Sequence, residues 1–355
     1  MEDEMATISV CMIMKNEAHN LPRSLESIPS TYEVVVVDTG SSDSSISVAR
    51  NLGAKVFEFP WGDSFSDARN YSIRQATGDY ILILDADECF TENIEIQVKR
   101  TIENSPKEAA TVMIRNVTDQ DWTQHRMIRF FPNHAEYSYV GDVHESLSFK
   151  GAPARYNNSE IVLLHYGYES EEYNNKGKFD RNLRLYEKEL AANPNNGYMW
   201  YQLGKLYYSV ESYEQAYHAF ATCADIGEIG QPYFPPMLIR FGYTLLKLGK
   251  SEEAFALITP FGQIYPDFPD LPFLLGLLSM ETGRMQEIAI HFQNALRIGE
   301  TSIYSTVIGV GSYKAHYNLG VYYEVTGDSA KARNHYFVAN QQGYEPAGKR
   351  LMNIV

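Results

Sequence analysis

The C-terminal half of the chain repeats itself in one frame, and that frame dictates paired helices. "WYQLGKLYYSVESYEQAYHAF" (200–220) sets Trp, Leu, Gly, Tyr, Ala and Phe at spacings that return three times. They return in "IRFGYTLLKLGKSEEAFALI" with Gly242 and Ala254, in "FLLGLLSMETGRMQEIAIHFQNAL" with Gly276 and Phe292, and in "HYNLGVYYEVTGDSAKARNHYFVA" with Gly320 and Ala332. Small residues let two helices approach; large ones fill the groove between neighbours. The frame glycines Gly204, Gly242, Gly276 and Gly320 lie 38, 34 and 44 residues apart. A helical-pair repeat has a period of about 34, so the first and third intervals carry insertions. Such units bury their apolar faces only by stacking into a solenoid.

The first ~170 residues obey a different rhythm, the length of one ordinary domain. "TISVCMIM", "EVVVVD", "AKVFEF" and "YILILD" read as strands, separated by helical stretches. Asn20 with Pro22, the "SSDSS" run, and Ser64 with Asp67 three residues on are helix-start signals. The β-α-β-α-β-α-β order implies a mostly parallel sheet. Ligands of such sheets sit at the carboxyl ends of the strands. Asp38, Asp85 and Asp87 lie at such ends. Between 110 and 166, "ATVMIRNV", "RMIRFF", "YSYV", "ESLSF" and "EIVLLHY" read as antiparallel or mixed strands added to that sheet. A linking helix covers 171–194, with Phe179, Leu183, Tyr186 and Leu190 at helical spacing. The expected organisation is therefore an α/β domain over 1–170, that helix, and about four repeats over 195–355.

The acid pair in "YILILDADE" is the chemical clue. Residues i and i+2 of a strand face the same side, so the carboxylates of Asp85 and Asp87 converge if the strand runs through them. Such like charges are tolerable when Mg²⁺ or Mn²⁺ sits between them and a phosphate; the alternative is a surface turn cap. "DTGS" (38–41) matches the aspartic-protease tetrapeptide, but that dyad needs a second lobe and no second D-T-G exists. Asp38 then either hydrogen-bonds a nucleoside or caps a turn. Neither G-x-G-x-x-G nor a P-loop is present, which leaves NAD and ATP chemistry without support.

A formal net charge of −15 disfavours non-specific binding to nucleic acid or anionic lipid. Any anionic ligand therefore needs a local cation. Cys11, Cys89 and Cys223 are scattered and odd in number, which points to a reducing compartment. The acidic start "MEDEMATISV" has no signal-peptide pattern, and "LPFLLGLLSM" is too short for the ~20 residues a membrane span needs. The expectation is a cytoplasmic protein.

The repeat frame resembles the tetratricopeptide repeat (TPR). "MIMKNEAHNLPRSLESI", "VVVVDTGSSDSS" and "SDARNYSIRQATGDYILILDADE" resemble an inverting family 2 glycosyltransferase of the GT-A, Rossmann-like fold. "VGDVHESLSF" and "LLHYGY" resemble, more loosely, the bacterial subgroup of sublancin-type peptide S-glycosyltransferases, which also joins such a domain to TPR-like helices. The resemblance implies a nucleotide-sugar donor, usually a UDP-sugar, and Mg²⁺ or Mn²⁺. By position it sets Asn16 and Glu17 beside the nucleoside and Asp38 on the base or ribose. Arg69 and Asn70 fall near uridine or pyrophosphate. Asp85 falls at the ribose or metal, Asp87 at the metal, and His165 completes the metal shell. "DVHES" stands where many relatives carry a Glu-Asp pair, so the base is Glu145, with His144 or Asp142 as alternatives. Glu145 can instead orient His144 or an arginine.

In "QHRMIRFF", Arg126 and Arg129 fall on opposite faces if the strand is regular. Lys178 and Arg181 sit beside the apolar stripe of their helix, where they either close over the donor or face solvent. With so short a catalytic domain, the repeats are expected to supply the acceptor site, which favours a peptide or protein acceptor. A cell-surface glycan or lipid-linked sugar transferase is the alternative enzyme, and a non-catalytic TPR adaptor the alternative of another class. Whether the array also pairs two copies stays open.

Overall fold

The continuous apolar runs become the centre of a sheet. The computed structural model describes residues 6–117, 122–166 and 176–354. The chain divides into two units, Met1–Tyr173 and Asn174–Val355.

In the first unit the elements are β1 (Ile8–Met14), α1 (Leu21–Glu26), β2 (Glu33–Asp38), α2 (Ser45–Asn51), β3 (Lys55–Glu58), α3 (Phe65–Gln75) and β4 (Tyr80–Ile83). There follow β5 (Glu88–Phe90), α4 (Ile94–Asn104), β6 (Ala109–Asn116), β7 (Thr123–Pro132), β8 (Tyr137–Val140), β9 (Ser146–Phe149), β10 (Ala152–Pro153) and β11 (Tyr156–His165). The main sheet runs β3-β2-β1-β4-β7-β6-β11-β5. β1, β2, β3 and β4 pair in parallel. β7 is antiparallel to both β4 and β6, and β6 is parallel to β11. Two reversals restore the direction, so β4, β6 and β11 end at the same edge as β1 and β2.

Val35, Val36 and Val37 are fully buried, as a strand covered on both faces requires. One core joins that sheet to Leu21 and Leu25 of α1, Ala49 of α2, and Ile94 and Val98 of α4. The other joins it to Ile73 of α3 and to Tyr137, Tyr139, Leu147 and Ala154. The last four belong to a separate antiparallel sheet, β10-β9-β8, or flank it. This corrects the expectation that "YSYV" and "ESLSF" extend the main sheet; their aromatic residues pack against its face instead. Ser64 caps α3 by accepting from the Asp67 N–H, as its spacing predicts. Asn20 makes no cap bond; its Nδ2 donates to Glu17 Oε2.

The second unit is built mainly of helices. α5 (Lys176–Ala192) is followed by pairs α6/α7 (Gly197–Ser209, Tyr213–Ile226), α8/α9 (Phe234–Lys247, Ser251–Ile258), α10/α11 (Asp270–Glu281, Met285–Ile298) and α12/α13 (Tyr313–Val325, Ser329–Gln341), then α14 (Glu345–Asn353). α5 packs on α6, with the rings of Phe179 and Tyr207 6.3 Å apart. The helix read as a linker thus stands with the repeats. The frame glycines explain themselves. A Cβ on Gly204 would lie 2.5 Å from the Phe220 ring, on Gly276 2.7 Å from Phe292, and on Gly320 2.5 Å from Tyr336. Each ring sits sixteen residues on, fully buried against the bare backbone. Among the described residues no helix is long and apolar enough to cross a membrane.

Candidate active site

Two loops at the carboxyl edge of the sheet are knitted together by short polar side chains. Asn16, just past β1, takes a left-handed backbone (φ 57°), a conformation asparagine tolerates. Its N–H donates to Ser41 Oγ (2.8 Å) and its Oδ1 accepts from the Ser42 N–H (2.7 Å). Glu17 N–H donates to Ser45 Oγ (2.8 Å). Asp38 ends β2, buried, and its Oδ2 accepts from the N–H groups of Gly40 (2.9 Å) and Ser41 (3.0 Å). That is the turn cap anticipated for "DTGS". Its other oxygen, Oδ1, is buried with no hydrogen-bond partner. A carboxylate oxygen left so at a strand end is an acceptor waiting for a donor.

Asp85 and Asp87 do not lie on the strand. β4 stops at Ile83, and the chain turns, with Glu88 N–H donating to the Asp85 carbonyl (3.0 Å). The i, i+2 convergence therefore fails, because two arginines claim Asp85. Arg69 from α3 donates to its Oδ1 (2.9 Å) and Arg129 from β7 to its Oδ2 (2.7 Å). Arg69 Nε also pairs with Glu145, and Arg129 lies 3.7 Å from Glu88 Oε1. Burial works against the charge on Asp85, but Arg129 and Arg69 overcome it and hold the carboxyl far below the usual range. Burial, with Asp85 and Asp87 nearby, pushes Glu88 the other way despite Arg129. Burial also raises the Tyr139 hydroxyl to about 12 against the pull of both arginines.

Arg129 owes its aim to an irregularity. In the β6–β7 ladder Ala110 pairs Phe130 but Thr111 pairs Ile128, so Arg129 is the extra residue of a β-bulge. The bulge resets the alternation and turns Arg126 and Arg129 to one face, contrary to the regular-strand expectation. They still part company: Arg126 reaches Thr111 Oγ1 (3.3 Å) and the Ser159 carbonyl (3.0 Å).

Asp87 meets His165, at the end of β11, with Nε2 3.2 Å from Oδ2. His165 Nδ1 lies 2.8 Å from Asn116 Oδ1, at the end of β6. An amide oxygen only accepts, so Nδ1 carries the hydrogen, and Nε2 is left facing Asp87. Burial lowers the affinity of this imidazole for a proton, but the Asp87 bond and charge raise it above its ordinary value. A carboxylate and an imidazole held in one tautomer by an outer partner form a donor pair of the kind that divalent metal ions use. Among the described residues no three His, Cys, Asp or Glu side chains converge as a complete metal shell. Asp85, drawn to the arginines, is not gathered with Asp87 and His165 into one.

Asn70 is a strut. Its Nδ2 donates to the Tyr139 carbonyl (2.8 Å) and its Oδ1 accepts from the Tyr139 N–H (2.7 Å), docking α3 to β8. Glu145 and His144 follow β8 in the loop that carries Asp142, whose carbonyl accepts from the Phe65 N–H (2.8 Å). His144 has φ 50°. Arg181 bonds its neighbour Asn182 (3.2 Å), and the side chain of Lys178 lies outside the described residues. The sequence reading passed over Glu88, Asn116 and Tyr139. Asn116 was detectable as a polar residue ending an apolar strand; the other two carry no local signal.

Residues 9–168, the strands and the carboxyl edge just described, match the family described as Glycosyl transferase family 2. The first unit is thus similar to a family 2 glycosyltransferase domain over these residues, and the helical pairs follow it. Two relatives sharpen the comparison. A TPR repeat-containing protein of Synechococcus elongatus is 33% identical over 211 residues, 57% of this chain and 52% of that protein. The prophage-derived glycosyltransferase SunS of Bacillus subtilis is 26% identical over 235 residues, 61% of this chain and 52% of that protein. The chain spans about half the length of these relatives. Among solved structures, MamA is 20% identical with a TM-score of 0.41, covering 49% of this chain and 93% of that one. YrrB, described as a TPR protein with an unusual peptide-binding site, is 20% identical with a TM-score of 0.38, covering 46% and 77%.

Proposed function

We propose that the protein is an inverting, metal-dependent glycosyltransferase that moves a sugar from a UDP-sugar to a Cys, Ser or Thr side chain of a peptide or protein. The observation that carries this reading is the Asp87–His165 pair, fixed by Asn116 at the carboxyl edge of the sheet. Asp38 Oδ1 supports it as the acceptor for a donor group of the nucleoside, with Asn16 and Glu17 shaping the wall beside it. Asp87 and His165 would hold Mg²⁺ or Mn²⁺, with Asp85 bordering the ribose. The bound cation supplies charge compensation for the departing diphosphate. Arg69 fixes Glu145 by one carboxylate edge, and Glu145 takes the acceptor proton as the nucleophile attacks the anomeric carbon. A thiolate acceptor needs less of that help. Asp142 and His144 border Glu145 on the same loop and remain the other candidates for the base. Three buried free thiols fit a reducing cytoplasm.

Mass spectrometry of Cys- and Ser-containing peptides incubated with UDP-sugars, Mn²⁺ and the full chain tests the reading. The expected result is a peptide heavier by one sugar residue. UDP release with every peptide unmodified would move the acceptor to another class.

A further inference from the structure

The last helical pair holds two imidazoles face to face. Gly320 of α12 has no side chain, and the Tyr336 ring of α13 fills the space, so the two helices run close at that level. His316 lies one turn before Gly320, and His335 directly precedes Tyr336. The close approach brings their Nδ1 atoms to 2.9 Å, with ring centres 5.2 Å apart. The repeat frame does not ask for histidine here. The corresponding positions of the other pairs hold Trp200 and Ala219, Leu238 and Leu257, and Pro272 and His291. Tyr323 stacks on His335, its ring centre 5.5 Å away and tilted by 12°, which fixes that imidazole plane. The Lys331 ammonium beside Tyr323 is engaged by Asp328 (2.9 Å).

At 2.9 Å one Nδ1 carries the hydrogen and the other offers its lone pair. Both rings are half-buried. Burial lowers the proton affinity of His316, and burial with His316 alongside lowers His335 to about 4. At neutral pH both are therefore in the neutral form that metals bind. Metal–imidazole bonds are about 2.0 Å, so two cis ligands of a tetragonal ion lie about 2.8 Å apart, and two of a tetrahedral ion about 3.3 Å. The observed spacing is that of the cis edge.

The geometry points to His316 and His335 as a two-nitrogen site for a divalent transition ion of tetragonal preference, Ni²⁺ or Cu²⁺, bound between α12 and α13. On binding, the bridging hydrogen leaves Nδ1 and that ring takes one up at Nε2 through water, so both Nδ1 lone pairs face the ion and neither ring changes charge. Among the described residues no three His, Cys, Asp or Glu side chains gather here, so water completes the shell. This site stands apart from the Asp87–His165 pair, which belongs to the other unit.

The test is calorimetric titration of the full chain with Ni²⁺ at neutral pH, with Mn²⁺ in excess. The second imidazole binds as an intramolecular ligand, so His316→Gln or His335→Gln should weaken this one Ni²⁺ equivalent by roughly 10²-fold. Circular dichroism checks the folding of each variant. With Cu²⁺, electron paramagnetic resonance of the wild-type chain should show coupling to two imidazole nitrogens. Both variants taking up Ni²⁺ as the wild type does would overturn the proposal. So would loss of the Ni²⁺ equivalent to Mn²⁺, which favours oxygen ligands. A wild-type Cu²⁺ spectrum without two coupled nitrogens would overturn it even if a variant unfolds. No sugar donor or turnover enters these measurements, so their outcome is separate from that of the transferase reading.

Discussion

At the residue scale, Asp85 is the hinge of the site, held by two buried guanidiniums that each have a second carboxylate, Glu145 or Glu88. Removing one partner from such a cluster costs more than the pair contributes, because the rest stay buried without compensation. Arg129→Met should therefore lower stability by about 3–5 kcal/mol, read as an earlier urea midpoint; an unchanged midpoint would mean water already compensates Asp85 and Glu88. Glu145→Gln keeps shape and removes the proposed base. Transfer to a hydroxyl acceptor should slow by at least roughly 10²-fold with UDP affinity little changed, and unchanged turnover would place the base elsewhere or show a thiolate acceptor. The residues that bear these roles were unevenly legible. Asp38 and His165 end strands and Asp87 follows one in the next turn, and strand ends are readable from apolar runs. The true neighbours of Asp85 were not, because they arrive from α3 and from a bulge, and a bulge leaves no trace in "QHRMIRFF". Asn70 looked like part of a ligand motif because its partner is the backbone of Tyr139, sixty-nine residues away.

At the scale of elements, periodicity did most of the work. The four parallel strands and the helical pairs follow from patterns of period two, of continuous burial, and of small residues opposite large ones. The separate β8–β10 sheet was hidden because short alternating strands do not say which sheet they join. The insertion between the third and fourth repeat frames takes part in another unreadable feature through Thr306 and Val307. Asp270, opening α10, is buried and accepts from the Val307 N–H (3.1 Å) and from the Thr306 hydroxyl. Burial pushes its carboxyl up to about 7 despite those bonds. The folded state therefore holds the proton more tightly than the unfolded chain, whose value is about 3.9. This group's contribution is full below about pH 4 and is lost progressively as pH rises to about 7. Asp270→Asn keeps an acceptor for Val307 and cannot ionise. It should flatten the fall in melting temperature between those pH values; a variant with the wild-type slope would assign that slope to another group.

At the scale of the whole molecule, the proposed function divides the labour between the two units: donor chemistry at the edge of a sheet, recognition on the surface of stacked helices. The central claim concerns the first. The most direct measurement is UDP release by the full chain from a panel of UDP-sugars with Mn²⁺, compared between wild type, wild type with chelator, and Asp87→Asn. The account predicts release by the wild type with at least one sugar. It also predicts loss of that release on chelation and in Asp87→Asn, while circular dichroism shows the variant folded. Release by Asp87→Asn in chelator equal to that of the wild type with metal would contradict it.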